Sequence, residues 1–342
     1  MASLNDETTI SGVNGQEPLV QVKNLKKYFD IPRKGKLHAV DDVSFDVFPG
    51  ETLGLVGESG CGKTTVGQVV MRLQPKTAGE LLFNGKSVFS AKGEEDLELR
   101  KSMQIIFQDP YSSLNPRKTI RRILTEPYRV HKYGSKAAVA EAIEKLCDMV
   151  DLSRDLLDCY PHELDGGMRQ VVGIARALSL SAVFIVCDEP VSSLDVSVQA
   201  RTINLLKNLQ RQLGISYLFI SHDLSVVRHI SNRIAIMYLG QIVEMAPTDS
   251  IFASAYHPYA IALLSAVPRV EQKLKKSRIV LKGDVPSPMN PKPGCRFAPR
   301  CWMAHEDCAD TDPQLTEIEP GHFVACRYAR ESQERAQVPR NI

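Results

Sequence analysis

The chain has 342 residues and a formal net charge of +2, with 43% hydrophobic and 24% charged residues. That length allows one large or two modest domains, and the near-neutral balance gives no reason to expect a nucleic-acid partner. No apolar run approaches the ~20 residues needed to cross a bilayer, and residues 1–15 lack the apolar core of a secretory leader. The expectation is a cytosolic protein whose eight cysteines are thiols or metal ligands rather than disulfides.

Residues 1–17, rich in Ser, Asn, Asp and Gly, read as a disordered tail. Leu19 to Val22 and Ala39 to Phe48 read as strands, with a basic turn between them at Pro32 to Lys36. Tyr28 and Phe29 close the first strand. An aromatic there serves equally as a platform for adenine or as a core or edge residue. Glu51 to Val56 has strand length, and Val66 to Leu73 has helical apolar spacing. Between them runs Gly57-Glu58-Ser59-Gly60-Cys61-Gly62-Lys63-Thr64-Thr65, which fits the phosphate-binding loop GxxxxGK(S/T) in the strand–loop–helix context it requires. The glycines let the backbone wrap round a β-phosphate with its N–H groups turned inward. The helix N-terminus adds positive potential. Lys63 is placed to reach the β- and γ-phosphates, and the Thr64 hydroxyl to hold Mg²⁺.

Asn84-Gly85, between apolar flanks in Ala78 to Val88, signals a hairpin turn. Met103 to Phe107 reads as a buried strand ending at Gln108. In Lys136 to Val150 the apolar residues Val139, Ile143, Leu146 and Val150 share one helical face. This stretch interrupts the strand pattern, so residues 110–178 read as a helical insertion in a nucleotide core spanning 18–267. Leu164-Asp165-Gly166-Gly167-Met168 opens another helix. Val183 to Cys187 is an apolar strand that ends in Asp188-Glu189. The first carboxylate is placed to bind Mg²⁺ through water. The second points differently and is placed to polarise an attacking water as general base. Ser193-Leu194-Asp195 follows, then a helix from Val198 to Leu213 that stops at Gly214. Ile215 to Ile220 is a buried strand leading to His222, and Ile234 to Met245 reads as two strands around Leu239-Gly240. The alternation defines an α/β fold with substantial parallel pairing.

From about Pro268 the composition shifts to a charged stretch, 271–282, and a proline-rich one, so 268–342 reads as a linker and a small C-terminal extension. Cys295, Cys301, Cys308 and Cys326 lie there with the spacing C-x5-C-x6-C-x17-C. These gaps are wider than the tight pairs of structural zinc sites. Spacing leaves an iron–sulfur cluster, zinc and free thiols all open.

Taken together and in order, Gly57 to Thr65, Gln108, Leu164 to Met168, Asp188-Glu189, Ser193-Leu194-Asp195 and His222 resemble the nucleotide-binding subunits of ABC transporters over residues 19–265. The resemblance implies that Phe29, with Tyr28 as alternative, stacks on adenine. It gives Gln108 a role at Mg²⁺ or the attacking water, Glu189 the role of base, and His222 a γ-phosphate contact. It places Asp195 at a dimer interface. Two such subunits would sandwich two ATP molecules, each between the phosphate loop of one chain and the glycine helix start of the other. The family's glycine signature is usually Leu-Ser-Gly-Gly-Gln, and here Asp165 stands in place of the serine donor, ahead of Gly166 and Gly167. At ~4 Å and an effective dielectric of ~20, its charge beside a γ-phosphate costs on the order of 4 kcal/mol. Asp is also a good helix N-cap, and both roles are compatible. The expectation is a heterodimer with a second ABC ATPase subunit and unequal ATP sites.

Gly294 to Cys301 and Gly321 to Cys326 resemble the C-terminal extension of oligopeptide and dipeptide importer ATPases, as does Asp109 to Pro116. That implies a 4Fe–4S cluster on the four cysteines, with zinc as the alternative. It also implies two membrane permease subunits, an extracytoplasmic peptide-binding protein, and a place at the cytoplasmic face of the membrane. The alternatives are an importer for another cargo such as nickel, or a soluble ATPase acting on ribosomes or DNA. The latter class typically has two nucleotide domains in one chain or a long coiled-coil insertion, and neither is visible here.

Overall fold

The computed structural model describes residues 16–267 and 279–337. The tail expected at 1–17 falls almost wholly outside them, as does most of the charged stretch 271–282. Strands β1 (Val20–Ile31) and β2 (Gly35–Val47) open the fold, and β3 (Thr52–Val56) leads through the phosphate loop into α1 (Lys63–Val70). Next come β4 (Ala78–Phe83), β5 (Lys86–Ser87), α2 (Glu94–Ser102) and β6 (Met103–Ile106). Four helices follow without a strand: α3 (Pro110–Ser113), α4 (Ile120–Val130), α5 (Lys136–Val150) and α6 (Gly166–Leu178). The alternation then resumes with β7 (Phe184–Asp188), α7 (Val196–Leu213), β8 (Ser216–Ser221), α8 (Leu224–Ile230), β9 (Arg233–Tyr238) and β10 (Gln241–Pro247). Helices α9 (Thr248–Ala253) and α10 (Pro258–Ser265) precede the C-terminal β11 (Thr316–Glu319), β12 (His322–Val324) and α11 (Ala329–Gln337).

Two sheets result. One is antiparallel, in the order β2-β1-β4-β5, and the other is mixed, in the order β11-β12-β10-β9-β3-β8-β7-β6. The segment β9-β3-β8-β7-β6 is parallel throughout. Every residue of β3, β7, β8 and β9 is buried, which is why these strands read as continuous apolar runs rather than alternating ones. A core of Phe45, Leu53, Val66, Leu81 and Leu218 joins the two sheets through α1. No helix among the described residues is long and apolar enough to cross a membrane.

Local signals explain most boundaries. Asn84 (φ 49°) and Gly85 (φ 71°) adopt the two left-handed conformations that a tight β4–β5 turn needs. Helix α5 begins where Ser135 accepts a bond from the Ala138 N–H (3.3 Å), and α7 ends at Gly214 in the left-handed region (φ 68°). The first strand is longer than the apolar run suggested. It continues to Ile31, because register shifts between Val22 and Tyr28 break the alternation without ending the pairing to β2.

The C-terminal segment is sewn into the same sheet. β12 pairs antiparallel with β10, Glu244 facing Val324 and Met245 facing Phe323. Beneath this pairing Glu244 is fully buried. Its carboxylate accepts the N–H groups of Tyr256 (2.9 Å) and His257 (2.8 Å) and lies 2.7 Å from His322 Nε2. Phe297 is buried against the rings of Tyr238, Tyr259 and His257, at centroid distances of 5.2, 5.4 and 5.7 Å. Burial pushes the His257 imidazole down to about 3, so it is neutral in the fold.

Candidate nucleotide site

The parallel strands bring their carboxyl ends to one edge, and the loops leaving β3, β6, β7 and β8 meet there around a cavity of about 990 Å³. The loop after β3 forms its floor. A Cβ on Gly57 would stand 2.2 Å from the Met237 carbonyl oxygen, and one on Gly62 would stand 2.0 Å from that of Ala39. Only glycine lets the loop press this closely on its neighbours. Gly62 also takes φ +109°, turning the chain into α1. Lys63, the first residue of α1, is buried and donates from Nζ to the carbonyls of Gly57 (2.8 Å) and Glu58 (3.0 Å). Its ammonium therefore lies within the loop's own curve.

Thr64 Oγ1 donates to Asp188 Oδ1 at 2.9 Å. Asp188 ends β7 and is 4% exposed. Burial, reinforced by the neighbouring Glu189 charge, raises its pKa against the lowering effect of the Thr64 bond. Hydroxyl and carboxylate oxygens gathered beside a phosphate loop are the hard donors Mg²⁺ takes, so the residues fit that cation.

Glu189 follows with φ 44°, a left-handed conformation that is costly for a residue with a side chain. Its N–H is held by the Ile220 carbonyl at 3.0 Å. The turn swings the carboxylate away from Asp188 toward Gln108 and His222. Gln108 Nε2 donates to Glu189 Oε2 at 3.0 Å, and His222 Nδ1 lies 3.2 Å from the same oxygen. Three residues from three separate strand ends thus meet at one oxygen.

Phe29, Gly57, Ser59, Gly60, Cys61, Gly62, Lys63, Thr64, Thr65, Gln108, Glu189 and His222 all line this cavity. Of the two aromatics read from the sequence, Phe29 faces it, with Lys27 Nζ 4.6 Å from its ring centre. Tyr28 is engaged elsewhere: its hydroxyl bonds Asp41 and its ring stacks on His38 at 3.9 Å. Asp165, Gly166, Gly167 and Asp195 lie outside the cavity walls. Asp165 caps α6 by accepting the Met168 N–H at 2.7 Å, and Asp195 caps α7 by accepting that of Val198 at 3.0 Å. The two helix starts pack together, since a Cβ on Gly167 would meet Val198 Cγ1 at 2.8 Å. Ser192, Ser193, His38 and the Leu239-Gly240 turn also line the cavity; the sequence marked Ser193 and the turn as features but assigned none of these residues to the site. The turn reaches it because the Gly240 N–H donates to the Cys61 carbonyl at 2.8 Å, a contact no local motif announces.

Cys295, Cys301, Cys308 and Cys326 converge on a second, much smaller cavity of about 20 Å³. Burial, with the other cysteines adding, pushes the Cys301 thiol up to about 12 and the Cys326 thiol up to about 11. Among the described residues no three His, Cys, Asp or Glu side chains are set to hold a metal ion.

A glycine loop that encloses a lysine, a Thr–Asp oxygen pair and a carboxylate held beside them by Gln108 and His222 define a P-loop nucleoside triphosphatase. The ABC transporter family model matches residues 40–192, and the model for the oligopeptide/dipeptide transporter C-terminal region matches residues 243–308. The putative oligopeptide transport ATP-binding protein YkfD of Bacillus subtilis is 48% identical over 324 residues, covering 94% of this chain and 98% of the relative. The dipeptide transport ATP-binding protein DppF of Haemophilus influenzae is 45% identical, covering 92% and 98%. The ATP-binding cassette MJ0796, solved as a dimer in a post-hydrolysis state with ADP and Pi, superposes with a TM-score of 0.60 at 25% identity, covering 67% of this chain and 98% of that one. The chain belongs to the ABC transporter ATP-binding family, in the branch that carries the oligopeptide/dipeptide C-terminal region, and it is an ATPase.

Proposed function

We propose that this ATPase powers peptide import through a separate membrane permease, bound to it at the cytoplasmic face and supplied by an extracytoplasmic peptide-binding protein. The names of its relatives support the cargo class. The observation that carries the mechanism is the meeting of Gln108, Glu189 and His222 at one carboxylate oxygen beside the phosphate loop. In this reading Phe29 supports the base, Lys63 turns from its loop carbonyls to the β- and γ-phosphates, and Glu189 takes the proton of the attacking water. Gln108 orients that water, and His222 contacts the γ-phosphate. Thr64 and Asp188 would hold Mg²⁺, which neutralises developing phosphate charge when bound. Helices α3 to α6 form a helical subdomain that meets the permease.

Asp165 and Asp195 face a second ATPase subunit. Because Asp165 cannot donate to a γ-phosphate when ionised, the site opposite it binds ATP yet hydrolyses it poorly, which makes the pair an asymmetric heterodimer. The test is a complex reconstituted with permease and receptor in vesicles. Peptide uptake should require ATP, and Asp165→Ser should raise per-site hydrolysis. Absence of peptide uptake would refute the cargo, and unchanged per-site hydrolysis would refute the asymmetry.

For the four cysteines, which line one small cavity, the reading kept from the sequence is a thiolate-held 4Fe–4S cluster with structural zinc as the alternative; a four-thiol set suits either, and either would need the cysteines to draw closer than they stand. Protein purified without air is expected to carry iron and acid-labile sulfide with a broad visible band. Metal-free protein, or zinc alone, would dispose of the cluster.

A further inference from the structure

The cysteine-bearing segment and the phosphate loop touch, and the contact is an ion pair. Glu58 is the loop's second residue. Arg300 donates to its carboxylate from both terminal nitrogens, at 2.9 and 3.4 Å. The backbone of Glu58 is already held at both ends: its N–H donates to Tyr259 Oη at 3.0 Å, and its carbonyl accepts from Lys63 Nζ at 3.0 Å. Arg300 therefore fixes the one part of this residue left to move. The Arg300 side chain is only 9% exposed, and its guanidinium lies 6.0 Å from the Tyr238 ring centre. Taken out of water in this way, the arginine depends on the Glu58 carboxylate to compensate its charge.

Arg300 sits immediately before Cys301, in a short turn whose ends are the cysteines. The Ala298 N–H donates to the Cys295 carbonyl at 3.0 Å, and the Cys301 N–H to the Ala298 carbonyl at 3.2 Å. Arg296, in the same turn, donates to the Leu239 carbonyl at 2.5 Å and pairs with Asp41. The adjoining Gly240 holds Cys61 of the loop. Two arginines of one turn thus brace the loop from two directions. Without Arg300, the Glu58 carboxylate would stand uncompensated beside a polyanion.

We propose that Arg300 is a positioning residue for the phosphate loop, and that through it the Cys295–Cys301 turn sets how tightly the loop grips a nucleotide's phosphates. The inference depends on the ATP site and not on what the cysteines hold. It is tested by titrating the full-length chain with a fluorescent ATP analogue and Mg²⁺. Arg300→Ala should weaken binding about tenfold, within the usual range of coupling between sites, and Arg300→Lys should restore part of the loss. In a Glu58→Gln background the same Arg300→Ala change should cost less than about twofold, because neighbours that act together are non-additive. Cys301→Ser should weaken binding in the native background and have less effect once Glu58→Gln has removed the charge that Arg300 pairs with. Should Arg300→Ala fail to fold, the cycle of Arg300→Lys with Glu58→Gln carries the same comparison. Additive effects in that cycle, a folded Arg300→Ala protein with native affinity, or a Cys301→Ser effect equal in both backgrounds would overturn the proposal.

Discussion

Glu189→Gln is expected to keep ATP bound and to lose turnover by roughly 10²–10⁴-fold, the range of a positioned general base. The amide preserves shape and still accepts a bond from Gln108, but it cannot take a proton from water. The left-handed backbone at Glu189 and its two side-chain partners show how much of the fold is spent on placing this one oxygen. Removing a partner should cost less: Gln108→Ala and His222→Ala leave the carboxylate in place but loosen its aim. The measurement is steady-state ATP hydrolysis by the assembled complex, alongside retention of labelled ATP. Turnover within a few-fold of native would place the base elsewhere. Loss of ATP retention would make Glu189 a binding residue instead.

Glu244→Ala should destabilise the fold by about 3–5 kcal/mol, the usual cost of removing one partner from a buried charged network. The carboxylate is fully buried and is the shared acceptor for two backbone N–H groups and His322. Alanine would strand all three with no route to water. A typical domain is stable by only about 5–15 kcal/mol, so a loss of that size would move most of the unfolding curve. Glu244→Gln should cost less, since one amide oxygen still accepts. Urea unfolding of the three proteins, at matched pH, decides the matter. An Ala variant within about 1 kcal/mol of native would show that water reaches the site.

The parts of this molecule that were legible in its sequence are those written locally. The phosphate loop declares itself because two of its glycines, Gly57 and Gly62, are forced by backbone contacts under 2.3 Å, so the motif cannot drift. The Asp188-Glu189 pair declares itself by ending a fully buried strand. Helix α5 and the Asn84-Gly85 turn follow from apolar period and φ preference alone. Helix α4 was not read, although its inward residues Ile120, Ile123 and Leu124 keep helical spacing, because Pro127 lies within it and the stretch before it is polar. The aromatics Tyr28 and Phe29 marked the far part of β1 to within two residues of its end at Ile31, while the middle, Lys23 to Lys27, was not read as strand because register shifts break its alternation there. What no inspection of the chain could supply are pairs such as Arg300 with Glu58, which lie 242 positions apart, or Glu244 with His322, 78 apart. Each partner taken singly is an ordinary polar residue. The closing of β12 onto β10 brings His322 to Glu244, and the packing of Phe297 on Tyr238 and Tyr259 brings Arg300 to Glu58.

That closing strand has a practical meaning for anyone who would trim the molecule. Shortening the chain to its first 267 residues keeps every phosphate-loop residue, yet it strips the cover from β10 and leaves a row of unpaired N–H and C=O groups facing solvent. The product would resemble a zip with one side removed: intact in its teeth, and ready to mesh with the next copy it meets.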